Sequence, residues 1–295
     1  MPQLWSSVPG ASHPLAISTR LARSRDITLD PCIQLPPDQA IWHALHTDMY
    51  RIRSLYGHTT HIEDDNSVLG CLQFSAEQLE VLELKLSRVN PSVPTKVTQP
   101  VFFQDHAPLL RILILQSVPW LHESLLNTHA QGRRCRPSVL DFPRLRRLAV
   151  ADVPAAFGSN FISARLPTSM ELYLFDIERG PISDLAFLRS ESMSTLPLLA
   201  GLTRLSLAIA GTDGTIAFFV TAAGSSSAFH VDWEVEPSLT VAQRRNGWVE
   251  FLLSLLPATC ITELWIDRWQ FRDDDLEPLF RGLPSLNSVV INDAL

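Results

Sequence analysis

The apolar residues of this chain recur with the spacing L-x-x-L-x-L. The pattern appears at Leu79, Leu82 and Leu84, at Leu110, Leu113 and Leu115, and at Leu145, Leu148 and Val150. It continues at Leu202, Leu205 and Leu207, at Ile261, Leu264 and Ile266, and at Leu286, Val289 and Ile291, with weaker copies around Leu172 and Leu174 and around Val231 and Trp233. The last apolar position of each copy falls at 84, 115, 150, 174, 207, 233, 266 and 291, giving steps of 31, 35, 24, 33, 26, 33 and 25 residues. A strand has period two, so the second and third apolar residues of each copy point into one core while the residues between them face the other way.

One copy cannot bury its apolar face alone, whereas parallel stacking of copies buries a continuous core. The steps bracket the period of about 20–29 residues of leucine-rich repeats once insertions are allowed. The expected fold is therefore α/β, an irregular leucine-rich-repeat solenoid with parallel strands on the concave face and helices and loops outside. The returns fit this picture. DFPRL, TLPLLAGLTRL and FRGLPSLNSV each place a proline or glycine just before a strand, and RDDDLEPLFRGLP offers Asp273 or Asp274 as a helix cap ahead of Leu276, Leu279 and Phe280. Upstream, PPDQAIWHALHTDMYRI reads as an amphipathic helix with Ile41, Leu45, Met49 and Ile52 on one face, broken by SLYGH at Gly57. RDITLDPCIQL before it suggests an opening strand. Residues 1–60 then form a flank that caps the solenoid, and residues 61–295 form the repeat array.

Composition adds exclusions. Of the 295 residues 46% are apolar, enough for a sizeable core, and no apolar run approaches the roughly 18 residues that span a bilayer. MPQLWSSVPGASHPLA lacks a positive segment followed by an apolar one, so an untargeted, intracellular protein is expected, cytoplasmic or nuclear. Cys32, Cys71, Cys135 and Cys260 are widely separated and read as reduced, mostly buried thiols. Residues 1–150 carry 15 Arg+Lys and 13 Asp+Glu, and residues 151–295 carry 9 and 18, so net charge runs from +2 to -9. An acidic C-terminal half exerts no long-range pull on a phosphate backbone, which argues against nucleic acid as partner. The cluster Arg133, Arg134, Arg136, Arg144, Arg146 and Arg147 reads as a solvated loop and strand face.

Chemistry-bearing motifs are sparse. His43 and His46, then His58 and His61 with Glu63, Asp64 and Asp65, are ligand-rich, yet their spacings match no standard zinc signature, and no metal or cofactor is expected. No G-x-S-x-G, G-x-G-x-x-G, Walker A or H-E-x-x-H occurs; GTDG at Gly211 and GSSS at Gly224 read as turns. Asp232, Glu234 and Glu236 alternate as acids on any solvated strand face do. No catalytic residue is assigned, and the chain is read as a non-enzyme.

PQLWSSV at Pro2 to Val8, SRDITLD at Ser24 to Asp30, LPPDQAIWHALHTDMYRIRSLYGH at Leu35 to His58, LEVLELKL at Leu79 to Leu86 and APLLRILIL at Ala107 to Leu115 together resemble the post-F-box region of fungal F-box proteins of the leucine-rich-repeat type. The resemblance covers about residues 2–291, is most specific over 35–58 and generic in the later repeats. It implies a subunit of a cullin-RING ubiquitin ligase, in which an N-terminal F-box holds the adaptor subunit and the repeat array holds the substrate. In the family PQLWSS follows the last F-box helix, so this chain resembles a receptor lacking most of its F-box, and adaptor binding is expected only where an upstream F-box exists. The resulting expectation is a non-catalytic protein-interaction scaffold. The alternatives are a free-standing repeat protein unrelated to ubiquitin and a hydrolase on an α/β scaffold.

Residues alternating with the core positions should line the concave sheet surface and hold a protein partner, with no role for membrane. They form a central row of Glu83, Ile114, Ala149, Tyr173, Ser206, Asp232, Trp265 and Val290. The expected partner-binding residues are Arg147, Glu171, Tyr173, Phe175, Arg204, His230, Asp232, Glu263, Trp265 and Asp267. Aromatic anchors among acids favour a basic partner segment.

Overall fold

A computed structural model of the chain describes residues 7–8, 19, 21–24, 28–34, 45, 47–58, 76–85, 107–117, 143–152, 166–177, 196–212, 215–235, 248–256, 258–267 and 273–292. The chain divides into two compact units, residues 1–145 and 146–295. Both are built on the apolar ladder read from the sequence.

The first unit holds β1 (Ser7–Val8), β2 (Asp30–Gln34), β3 (Ser54–His58), β4 (Val81–Lys85) and β5 (Ile112–Gln116), parallel and in chain order. The opening strand is β2, and the flank at 1–60 contributes β1 to β3 to the same sheet as β4 and β5. SLYGH is strand β3, where a break was expected. Leu55 and Gly57 stand beside Leu82 and Leu84, so the ladder passes through a glycine that no apolar pattern marks. Leu45, Met49 and Ile52 of the expected helix are buried, and the chain tightens into a 3-10 turn at Met49–Arg51; residues 36–44 lie outside the described ones. β4 and β5 are entered in the same way. The amides of Leu79 and Leu110 reach back to the Ala76 and Ala107 carbonyls (3.1 and 3.2 Å). The Glu80 and Arg111 amides then donate to the carbonyls of Arg53 and Glu80, just ahead of β3 and β4 (2.7 and 2.8 Å).

The second unit holds β6 (Arg147–Ala151), β7 (Glu171–Ile177), β8 (Leu202–Thr212), β9 (Thr215–Gly224), β10 (Ala228–Val235), β11 (Glu263–Asp267) and β12 (Ser288–Asn292). Their order is β6-β7-β10-β9-β8-β11-β12, and β9 alone runs antiparallel to its neighbours. Helices α1 (Trp248–Leu255) and α2 (Asp273–Gly282) precede β11 and β12; Asp273 and Asp274, expected as the cap, are the first two residues of α2. Leu252, Leu255, Leu279 and Leu283 are buried along or just beyond these helices, whereas Phe280 is exposed, contrary to its expected place on the apolar face.

The expected 26-residue step between Leu207 and Trp233 is not a stacked repeat. β8 runs on to Thr212, the chain returns as β9, and a turn closed by the Gly224 amide on the Ser227 carbonyl (2.9 Å) leads into β10. GSSS is a turn, as read, but the strand before it is absent from the L-x-x-L-x-L pattern. Phe218, Val220 and Ala222 supply its core face by alternation alone.

The ladder residues Leu148, Val150, Leu172, Leu174, Leu205, Leu207, Val231, Trp233, Leu264 and Ile266 are all buried, as are Leu82, Leu84, Leu113 and Leu115 of the first unit. The last pair departs: Val289 is 43% and Ile291 55% exposed, because β12 ends the sheet of this unit. Cys32 and Cys260 are free thiols but half-buried, short of the burial expected; Cys71 and Cys135 lie outside the described residues. Among the described residues no helix is long and apolar enough to cross a membrane.

Candidate interaction face of the second unit

Alternation along the strands of the second unit turns all ten expected partner-binding residues to the face opposite the ladder. The structure gathers them into two separate posts. At the first, Arg147 on β6 stands directly opposite Glu171 on β7 and pairs with its carboxylate through Nε and Nη2 (2.7 and 2.6 Å). The Arg147 guanidinium lies over the Tyr173 ring at 5.6 Å, and the Tyr173 hydroxyl donates to Glu171 (3.3 Å).

The second post repeats this arrangement. Arg204 on β8 stands opposite Glu263 on β11 and donates through Nε (2.8 Å); its guanidinium lies over Trp265 at 5.8 Å, and Trp265 Nε1 donates to Glu263 (2.6 Å). The sequence carries both copies plainly, as RLAV with ELYL and RLSL with ELWI. The spacing follows from strand geometry: an E-x-aromatic pair lies on one face of one strand, and the arginine faces the glutamate from the next.

The posts carry different neighbours. Phe175 stacks beside Tyr173 with centroids 5.7 Å apart, and His230 on β10 closes against both rings at 5.2 and 5.9 Å. His230 Nδ1 shares a hydrogen bond with Thr221 Oγ1 on β9 (2.7 Å), and its Nε2 lies 3.7 Å from Asp232. At the second post Trp265 is 42% exposed, and Asn292 Nδ2 donates to Asp267 (3.0 Å). Between the posts β9 and β8 present Ala223, Thr221, Ser206 and Ala208, with Phe219 larger, while β10 presents His230, Asp232 and Glu234 beside Ala228.

The register corrects the expected central row. His230, not Asp232, stands beside Tyr173, and the row continues through Thr221 and Ser206 to Trp265 and Val290. Asp232 instead stands opposite Phe219 on β9. The cause is β9, which the repeat pattern omits and which sets where β10 returns beside β7. Glu83 and Ile114 pair with each other in the first unit. Of the basic cluster, Arg147 serves the first post and Arg144 and Arg146 are exposed, while Arg133, Arg134 and Arg136 lie outside the described residues. His43, His46 and His61 lie outside them too.

The electrostatics follow from these contacts. Hydrogen bonds from Arg204 and then Trp265 hold the Glu263 carboxyl below the usual carboxylate range. Burial, followed by the repulsion of Glu171, pushes the Tyr173 phenol up. Two arginines stand against five carboxylates on this face, Glu171, Asp232, Glu234, Glu263 and Asp267, so the described surface is acidic. No family model, curated protein or solved structure matches the chain.

Proposed function

We propose that this chain is a non-catalytic protein-interaction scaffold, an irregular leucine-rich-repeat array of the kind that holds substrates in F-box ubiquitin ligase subunits, and that its second unit grips a basic partner segment across the two posts. The observation that carries this reading is the duplicated Arg–Glu–aromatic arrangement on an acidic sheet face. Guanidinium and carboxylate groups fix each ring from one side, so little side-chain entropy remains to be lost when a partner packs on it. Rings held in this way are what interface anchors are made of.

The posts stand on β7 and β11, four strand steps apart, or about 19 Å. An extended segment covers that distance in about six residues. The fitting partner is a basic segment with two anchoring residues about six positions apart, crossing His230, Thr221 and Ser206 between the posts. Affinity capture with cross-linking tests this, comparing wild type with the double variant Tyr173→Ala, Trp265→Ala. Loss of basic cross-linked segments from a variant that retains its circular dichroism spectrum supports the reading. Capture of the same proteins by both chains overturns it.

A further inference from the structure

The two posts share an arginine, a glutamate and an aromatic ring, and differ in what comes next. On β7 the face residues run Glu171, Tyr173, Phe175, and on β11 they run Glu263, Trp265, Asp267. At the first post Arg147, opposite Glu171, lies over the Tyr173 ring at 5.6 Å. Phe175, two residues further along β7, stacks on the same ring at 5.7 Å with planes 14° apart. At the second post Arg204, opposite Glu263, lies over Trp265 at 5.8 Å, but the position matching Phe175 holds a carboxylate. Among the described residues no ring stacks on Trp265, which is 42% exposed.

Asp267 is half-buried, and its Oδ1 accepts from Asn292 Nδ2 on β12 (3.0 Å), while its Oδ2 has no partner among the described residues. The charge of Glu263 is matched by Arg204 at 2.8 Å, whereas the group bonded to Asp267 is a neutral amide. Strand geometry sets Asp267 about 6.6 Å along β11 from Trp265, on the side away from Arg204. The second post thus joins an exposed indole to a carboxylate whose charge is not matched. We infer that it is an arginine subsite: a partner's guanidinium stacks on Trp265 in the place that Phe175 takes on Tyr173, and donates to Asp267.

A guanidinium is planar as a ring is, stacks on an indole and presents paired N–H donors to a carboxylate. A lysine ammonium supplies the charge without the plane. Arg204 does not repel the incoming group, because Glu263 neutralises it and the indole lies between the two. Trp265 Nε1 donating to Glu263 at 2.6 Å holds that indole in place before anything binds. The first post takes no guanidinium at the matching place, since Phe175 fills it. The inference rests on the reading of this face as a surface for a basic segment, and it assigns an arginine of that segment to β11.

The test is a nuclear magnetic resonance titration of the isotope-labelled full chain with the peptide acetyl-Gly-Gly-Arg-Gly-Gly-amide. The readout is the Trp265 indole N–H, identified by its disappearance in Trp265→Phe. A saturable shift is expected, with a dissociation constant on the order of a millimolar. The matching lysine peptide should bind about fivefold more weakly, as should the citrulline peptide, which keeps the shape of arginine without its charge. Asp267→Asn, which retains the bond to Asn292, should weaken the arginine peptide by a similar factor. Asp267→Phe rebuilds the stack of the first post and should abolish the shift, while Tyr173→Ala should leave it unchanged. An indole that does not move at tens of millimolar peptide overturns the inference, as does equal binding of the arginine and citrulline peptides or a shift that Asp267→Asn leaves at full strength. The peptide carries one cation and reaches one post. An Asp267-dependent shift therefore upholds the subsite even where partner capture ignores the double variant Tyr173→Ala, Trp265→Ala. Capture that the double variant loses, with no arginine shift in wild type, overturns the subsite alone.

Discussion

Leu205→Ala is the sharpest test of the ladder. Leu205 is 0% exposed on β8, between Ala222 on β9 and Leu264 on β11, both equally buried. Removing three side-chain carbons costs about 2.4 kcal/mol in lost burial at about 0.8 kcal/mol each. With strands fixed on both sides the site collapses little. A residual void of about 50 Å³ adds about 1.2 kcal/mol at 24 cal/mol per Å³. The expected loss is about 3.5 kcal/mol. Its neighbour Ser206 faces the open side, so Ser206→Ala should stay within about 0.5 kcal/mol. Urea unfolding followed by circular dichroism reads both. With a slope of about 2 kcal/mol per molar, Leu205→Ala should lower the midpoint by about 1.7 M without changing the slope, and Ser206→Ala should leave it in place. Equal losses at the two positions would mean that the strand register is wrong.

Glu263 has its pKa lowered by hydrogen bonds from Arg204 and Trp265, so its contribution is present above the unfolded carboxylate's pKa and fades as pH falls through the lowered value; Glu263→Gln should flatten that acid limb in urea midpoints taken against pH. Tyr173 has its pKa raised by burial and by Glu171, so its contribution is complete below the unfolded phenol's pKa and is lost as pH rises through the raised value. Ultraviolet titration should show one tyrosine ionising late, and Tyr173→Phe should remove that phase. Gly224→Ala would drive its new Cβ into the Gly201 carbonyl where β9 meets β8, costing about 1–3 kcal/mol, whereas Gly201→Ala meets only Ser227 Oγ at 3.5 Å and should be tolerated; thermal unfolding compares the two.

The parallel ladder was legible because each of its strands announces itself twice, by alternation and by the apolar residue that closes the preceding turn. Leu79 and Leu110 are such residues, and their amides bond three residues back. β9 lacks the second signal. It follows a hairpin, so nothing before Thr215 needs to seat a strand on its predecessor, and TIAFFVTAA shows alternation only within a run that is apolar on both faces. β3 was missed for a different reason, since Gly57 fills a ladder position with no side chain to register. The ten face residues were legible because alternation does not depend on strand order. Their neighbours were not, because neighbours depend on order alone: His230 and Thr221 meet only once β9 lies between β10 and β8.

That order also sets the distance between the posts. Had β8 followed β7 directly, as plain stacking implies, the two Arg–Glu–aromatic posts would stand two strand steps apart, about 10 Å. The returning pair β9 and β10 doubles the distance and sets Thr221 and His230 in the row between the posts, with Asp232 and Phe219 beside them. It also brings His230 against Tyr173 and Phe175, which gives the first post a ring that the second lacks. The same insertion that hid from the repeat pattern thus converts two equivalent posts into an ordered pair, and the proposed partner segment would run across them in one direction.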